Sequence, residues 1–205
     1  MRATHSAMIG GGLLDCGHQA ILPGGRVIYC VEFVSIDTSA ERSQGSVYPS
    51  RYALELKSDV MTSFWPHYDF LGDSHTHPYG HFSDVLLDKL HEFSEEDFQD
   101  IENRSRYWRK HGYRVGIMLT IARLEKRGRR YNGLMDDTTI EFTLGNYRLW
   151  LKGYVAIQRN TALKLPDHED EDVILDCPAL IGLNGEYSRF GRVTKRNAFK
   201  CGQIE

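Results

Sequence analysis

Two histidines and one aspartate are the side chains of this chain best placed to hold a cation. They lie in Asp73-Ser74-His75-Thr76-His77-Pro78 and, further on, in Ser94-Glu95-Glu96-Asp97. Residues i and i+2 of an extended segment project to one side, so both imidazoles can reach a single ion. A carboxylate in the first turn of a following helix supplies a third ligand. Two His and one Asp leave a tetrahedral Zn²⁺ with one position open for water, as a catalytic zinc requires. Water on such an ion ionises near neutral pH, and the ion also polarises a carbonyl. Ser94 is expected beside it, its hydroxyl aimed at the oxyanion that forms when water attacks an amide. Each half also has an ordinary reading. Histidines two apart are common on exposed strands and loops, and Ser94-x-x-Asp97 has the shape of a helix cap. Their order joins them, with Phe70-Leu71-Gly72 before the first histidine and Pro78 after the second.

The flanking sequence predicts the elements that must carry these groups. Residues 68–72 read as a short strand that runs out into a loop bearing the two histidines. Leu86, Leu90 and Phe93 sit at helical spacing, which predicts an amphipathic helix over 84–93. A further helix starts at Ser94 and runs to about Arg109, with Gly112 as its stop. Upstream, residues 12–20 and 26–36 are two strands around the Pro23-Gly24-Gly25 turn, which predicts a hairpin. A helix begins near Ser50. Residues 113–122 form a buried strand, and 138–144 and 147–157 are two more, joined at Gly145-Asn146. A final pair of strands is expected around Asn184-Gly185. The expected class is α+β (α/β mixed): a mixed sheet flanked by helices, in a domain over residues 1–160 with a C-terminal extension, 161–205, packed on it.

Composition bounds the function. The chain has 205 residues, 41% hydrophobic and 26% charged, with net charge −3. That is ordinary globular composition, against global disorder. It gives no chain-wide basic field for nucleic acid. No apolar run approaches the roughly 20 residues of a membrane span. Met1–His5 opens no long apolar segment, so a cytoplasmic location is expected. Cys16, Cys30, Cys177 and Cys201 include no CxxC pair, which fits reduced thiols. Arg104, Arg106, Arg109 and Lys110, and the group from Arg123 to Arg130, read as a solvated helix face and a hairpin loop. The acidic run 167–172 reads as a solvated loop. Nothing in the sequence fixes the oligomeric state.

Leu71-Gly72-Asp73-Ser74-His75-Thr76-His77-Pro78, followed by Ser94-Glu95-Glu96-Asp97-Phe98, resembles the metal motif of the JAB/MPN (JAMM) metalloproteases, in their prokaryotic-type, deubiquitinase-like form. Gly10-Gly11-Gly12-Leu13-Leu14 is similar to their first strand. In order of elements the resemblance spans roughly residues 5–157. It implies a curved mixed sheet flanked by helices, with an MPN/JAMM (cytidine-deaminase-like) core. It implies His75, His77 and Asp97 as ligands of Zn²⁺, and Ser94 as the serine that supports the oxyanion. The activity implied is hydrolysis of a peptide or isopeptide bond after a ubiquitin-like modifier, the partner being that modifier or its conjugates. Some relatives bind without cutting.

Two departures stand out. Sixteen residues, 78–93, separate His77 from Ser94. That is longer than the family's usual spacing, and the insertion 79–93 is either a lid over the site or a packing element. The general-base glutamate of the family is also missing, because its position falls on Met8 or Ile9. General acid–base help is typically worth ~10²–10⁴-fold in rate. In a hairpin turning near 23–25, residues 8–10 face roughly 37–39. Asp37 is therefore the first candidate substitute base and Glu32, nearer mid-hairpin, the second. The alternative to an enzyme is a catalytically impaired module that binds a ubiquitin-like protein. A third reading takes Asp73-Ser74-His75-Thr76-His77 as the opening of a PHP-type phosphoesterase barrel. Against it, about 70 residues precede the motif, and His81, His91, His111 and His168 are the only histidines that follow.

Overall fold

The computed structural model describes residues 12–23, 25, 27–37, 39–42, 47–48, 50–103, 112–125, 131–159, 162–164, 175 and 192–193. Strands β1 (Gly12–Ile21) and β2 (Val27–Asp37) form the expected antiparallel hairpin, paired from Gly12↔Asp37 to Ile21↔Val27 with a register shift between Cys16 and Gly17. Gly25 takes φ +80° in its turn, a conformation that costs glycine little. Two short strands, β3 (Glu41–Arg42) and β4 (Val47–Tyr48), pair with each other. Ser50 then caps α1 (Arg51–Phe64), its hydroxyl accepting from the Ala53 N–H at 3.4 Å.

The rest of the chain builds the sheet and the cover over one face. Strand β5 (Asp69–Tyr79) is followed by α2 (Phe82–Leu87) and α3 (Glu95–Asn103). Then come β6 (Tyr113–Arg123), β7 (Tyr131–Asp136), β8 (Thr139–Leu144), β9 (Tyr147–Arg159), β10 (Ala162–Lys164) and β11 (Arg192–Val193). The strand order is β11-β7-β8-β9-β6-β5-β1-β2, with β10 beside β9. The β5–β6 and β11–β7 pairs are parallel and the others antiparallel, so the sheet is mixed and the class α+β. Among the described residues the path is open rather than closed into the barrel of the phosphoesterase reading.

Two expectations change. The histidine segment is strand, not loop. β6 runs parallel beside β5 and pairs with it from Gly72↔Val115 through Tyr79↔Ala122. Strand proline is confined to positions open on one side, and the described β1 register with β5 ends at Leu13↔Ser74, before Pro78. The helix over 84–93 is instead the shorter α2. Lys89 adopts φ +51°, and the Leu90 N–H closes back on the Val85 carbonyl at 2.9 Å, a Schellman-like stop. The Leu86, Leu90 and Phe93 spacing misleads because these residues go to different places. Leu86 is exposed, Leu90 packs on Val85, Ala122 and Trp150, and Phe93 packs on Met118 and Tyr154. Of the helix expected to run to about Arg109, the part to Asn103 is described. The basic clusters at 104–110 and 126–130, the acidic run 167–172, the region of Asn184-Gly185, Cys177, Cys201, and Met8 and Ile9 lie outside the described residues.

The sheet has a core on each side. Phe93, Ile101 and Phe98 bury against Met118, Tyr154 and Ala156 on the helix-covered face. Leu71, Tyr113 and Val115 pack with Tyr29, Val31 and Val155 in a separate cluster. Gly72 lets β5 approach β6, since a Cβ there would collide with the Val115 carbonyl oxygen. The described parts of the extension bond to the sheet: β10 pairs with β9, β11 with β7, and the Leu175 N–H donates to the Asp137 carbonyl at 2.7 Å. No helix among the described residues is long and apolar enough to cross a membrane.

Candidate metal centre

Strand alternation puts Asp73, His75 and His77 on one face of β5. His75 is in register with Met118, which lies under Phe93 and Ile101, so this is the face that α3 covers. Ser94 precedes α3 and Asp97 stands in its first turn, where the backbone N–H groups of a helix start and the helix dipole favour a carboxylate. The two residues form a reciprocal cap. The Asp97 N–H donates to Ser94 Oγ at 3.2 Å. The Ser94 N–H and hydroxyl donate to Asp97 Oδ2 at 2.7 and 2.8 Å.

That leaves Asp97 Oδ1 facing the histidines, 3.1 Å from His75 Nε2 and 3.8 Å from His77 Nε2. The two imidazole centroids are 4.8 Å apart. One donor atom from each of the three residues lies within 4.8 Å of the others. Both Nε2 atoms are buried, and the acceptor they face is Asp97 Oδ1. Two imidazole nitrogens converging on one carboxylate oxygen are what a set of cation ligands looks like. Asp97 and His77 are nearly buried, while the His75 side chain stays 28% exposed, so the group opens to solvent on the His75 side.

The charges fit the same purpose. Burial pushes the Asp97 carboxyl up, but His75, the Ser94 N–H and His77 together bring it down to about 2. Burial, and then His75 beside it, lowers His77 to about 4 against the pull of Asp97. At neutral pH the set is thus a carboxylate with a neutral His77, the state a cation needs.

Ser94 therefore sits at the site with its hydroxyl engaged by Asp97. Asp37 pairs through its backbone with Gly12, next to Leu13, which pairs with Ser74. It lies at the histidine end of the hairpin, two strands from β5, or about 10 Å at ordinary strand spacing. Glu32 is further along β2, 3.6 Å from His18 and away from the triad.

Two groups around the site escaped the sequence. Arg114 of β6, about 1% exposed, donates from Nε to Asp73 Oδ1 at 3.0 Å and from Nη2 to Asp100 Oδ2 at 3.2 Å. Burial opposes its charge, but Asp73, Tyr154 and Asp100 raise its pKa above the ordinary arginine value. Its signal was faint: Asp73 stands two before His75 and Asp100 three after Asp97, the periods of strand and helix. The second group anchors the insertion. Lys152 Nζ lies 2.8 Å from Glu92 Oε2, and His91 Nε2 lies 3.3 Å from Glu92 Oε1. With Val85, His91 and Phe93 also buried, these side chains anchor the segment to the sheet ahead of Ser94. No family model, curated protein or solved structure matches the chain.

Proposed function

We propose that the chain is a zinc-dependent hydrolase of the JAB/MPN (JAMM) type, cleaving a peptide or isopeptide bond after a ubiquitin-like modifier. One observation carries this: a ligand atom from each of His75, His77 and Asp97 converges within 4.8 Å of the others. The donor set fits zinc, with two imidazoles, one carboxylate and one position left over. The order of hairpin, helix, histidine strand and serine-capped helix supports the family resemblance. Bound there, the ion would supply an activated water and polarise the scissile carbonyl.

The chain's own residues divide the remaining work. His75 and His77 are held on a strand paired through Pro78, so their spacing is rigid. Ser94 orients Asp97 so that one oxygen meets the histidines. For the oxyanion role its hydroxyl must leave Asp97 Oδ2 and turn toward the substrate, a rotation about its own Cα–Cβ bond. Asp37 remains the candidate base from its place on the sheet. The test is incubation of the purified chain with ubiquitin-like fusions, with and without chelator. Chelator-sensitive cleavage supports the enzyme. No cleavage in excess zinc contradicts it.

One observation favours the second reading, a module that binds such a modifier without cutting it. The family's base position falls on Met8 or Ile9, and neither side chain can take a proton. Tight modifier binding without turnover would establish this reading.

A further inference from the structure

Two bridges join β5 to α3, and only one of them is the ligand set. Asp73 and His75 are neighbours on one strand face, and Asp97 and Asp100 are neighbours on one helix face. His75 and His77 reach toward Asp97. One step along, Asp73 and Asp100 are joined by Arg114 from the adjacent strand, with its Nη1 also donating to the Asp100 backbone carbonyl at 3.2 Å. The guanidinium is a rigid planar fork, so it sets distances that a lysine would not. Gly116, two residues on, leaves room for the Tyr154 ring, which a Cβ there would strike. That ring packs with Phe93 and Ile101, seating the segment into and out of α3.

We infer that Arg114 is a positioning residue for the metal centre: clamped between Asp73 and Asp100, it fixes the gap between β5 and α3 so that the three ligands are preformed without the ion. The inference rests on the proposed metal site. It differs from the role of Arg148, equally buried, whose Nε meets Glu141 at 2.6 Å and whose Nη1 donates to Thr143 at 2.7 Å, between β8 and β9. Those contacts of Arg148 brace β8 against β9.

The test titrates Zn²⁺ against a chromophoric chelator in wild type, Arg114→Met and Arg148→Met. Loss of a residue that orients metal ligands typically weakens binding ~10–100-fold. That loss is expected for Arg114→Met, with wild-type affinity in Arg148→Met. Asp100→Asn, at a half-exposed position that tolerates change, is expected to weaken zinc in the same direction and covers the case in which Arg114→Met does not fold. Co²⁺ supplies a signature that general destabilisation does not move. Its tetrahedral absorption band should weaken or shift in Arg114→Met and Asp100→Asn and persist in Arg148→Met. Unchanged zinc affinity in the Arg114 and Asp100 variants, or equal losses in the Arg148 variant, overturns the inference while leaving the metal site standing. No zinc bound by wild type overturns the metal site, and the inference with it.

Discussion

Ser94 Oγ lies 2.8 Å from Asp97 Oδ2, and the other oxygen of the same carboxylate faces His75 and His77. The helix cap and the metal-ligand arrangement are thus one structure. The cap fixes the carboxylate's torsion, and that torsion aims Oδ1 at the imidazoles. Ser94→Ala is expected to cost ~1 kcal/mol of stability, as lost N-caps do. It should also weaken zinc binding, by less than Asp97→Ala does. Ser94→Thr should retain most of both. Thermal unfolding with and without zinc measures the two effects together. A Ser94→Ala chain less stable but unchanged in zinc affinity would separate cap from ligand.

Glu92 gives a pH dependence of definite sign. The contact with His91 draws its carboxyl down, burial opposes this, and Lys152 adds to the lowering, to about 2 from an ordinary 4.5. Between those values the unfolded chain holds more protons than the folded one, so stability rises with pH. The contribution is complete above about pH 4.5 and is lost as the pH falls toward 2. Urea unfolding of wild type and Glu92→Gln should show a stability gap that narrows over this interval. Parallel curves would show that His91 and Lys152 do not hold the Glu92 carboxylate in the folded chain.

Gly72 tests the pairing that carries the histidines. A Cβ there meets the Val115 backbone, which cannot rotate away. Gly72→Ala is expected to cost at least the ~1–3 kcal/mol of an overpacked core and to weaken zinc binding through β5. Denaturant titration reads the first effect. Wild-type stability would mean that β5 and β6 are not in this register.

The proposed enzyme reading predicts a gain of function at residues 8 and 9. Met8→Glu or Ile9→Glu should raise turnover of a ubiquitin-like fusion by up to ~10²–10⁴-fold if the missing proton acceptor limits the rate. Asp37→Asn should then matter in wild type and lose its effect in the variant that cleaves faster. A chain in which Asp37→Asn is silent throughout does not use Asp37 as base.

Much of this was legible because local chemistry and the fold agree. The hairpin announced itself through β-branched residues around Pro23-Gly24-Gly25, and α1 through Ser50. The triad was legible because i, i+2 and the capping box are local patterns. Arg114 was not, because its partners are 41 and 14 residues away and only the sheet register brings them together. The 84–93 helix failed for a related reason. Periodicity reports which residues bury, and Leu90 and Phe93 do bury, but against different clusters across a turn made by Lys89.

The metal content of the purified chain tests the central claim most directly. Mass-spectrometric metal analysis after zinc loading and desalting should give about one zinc per chain, falling toward zero in His75→Ala, His77→Ala and Asp97→Ala while the fold persists by circular dichroism. Wild type with no zinc, or three variants that keep it, would contradict the account.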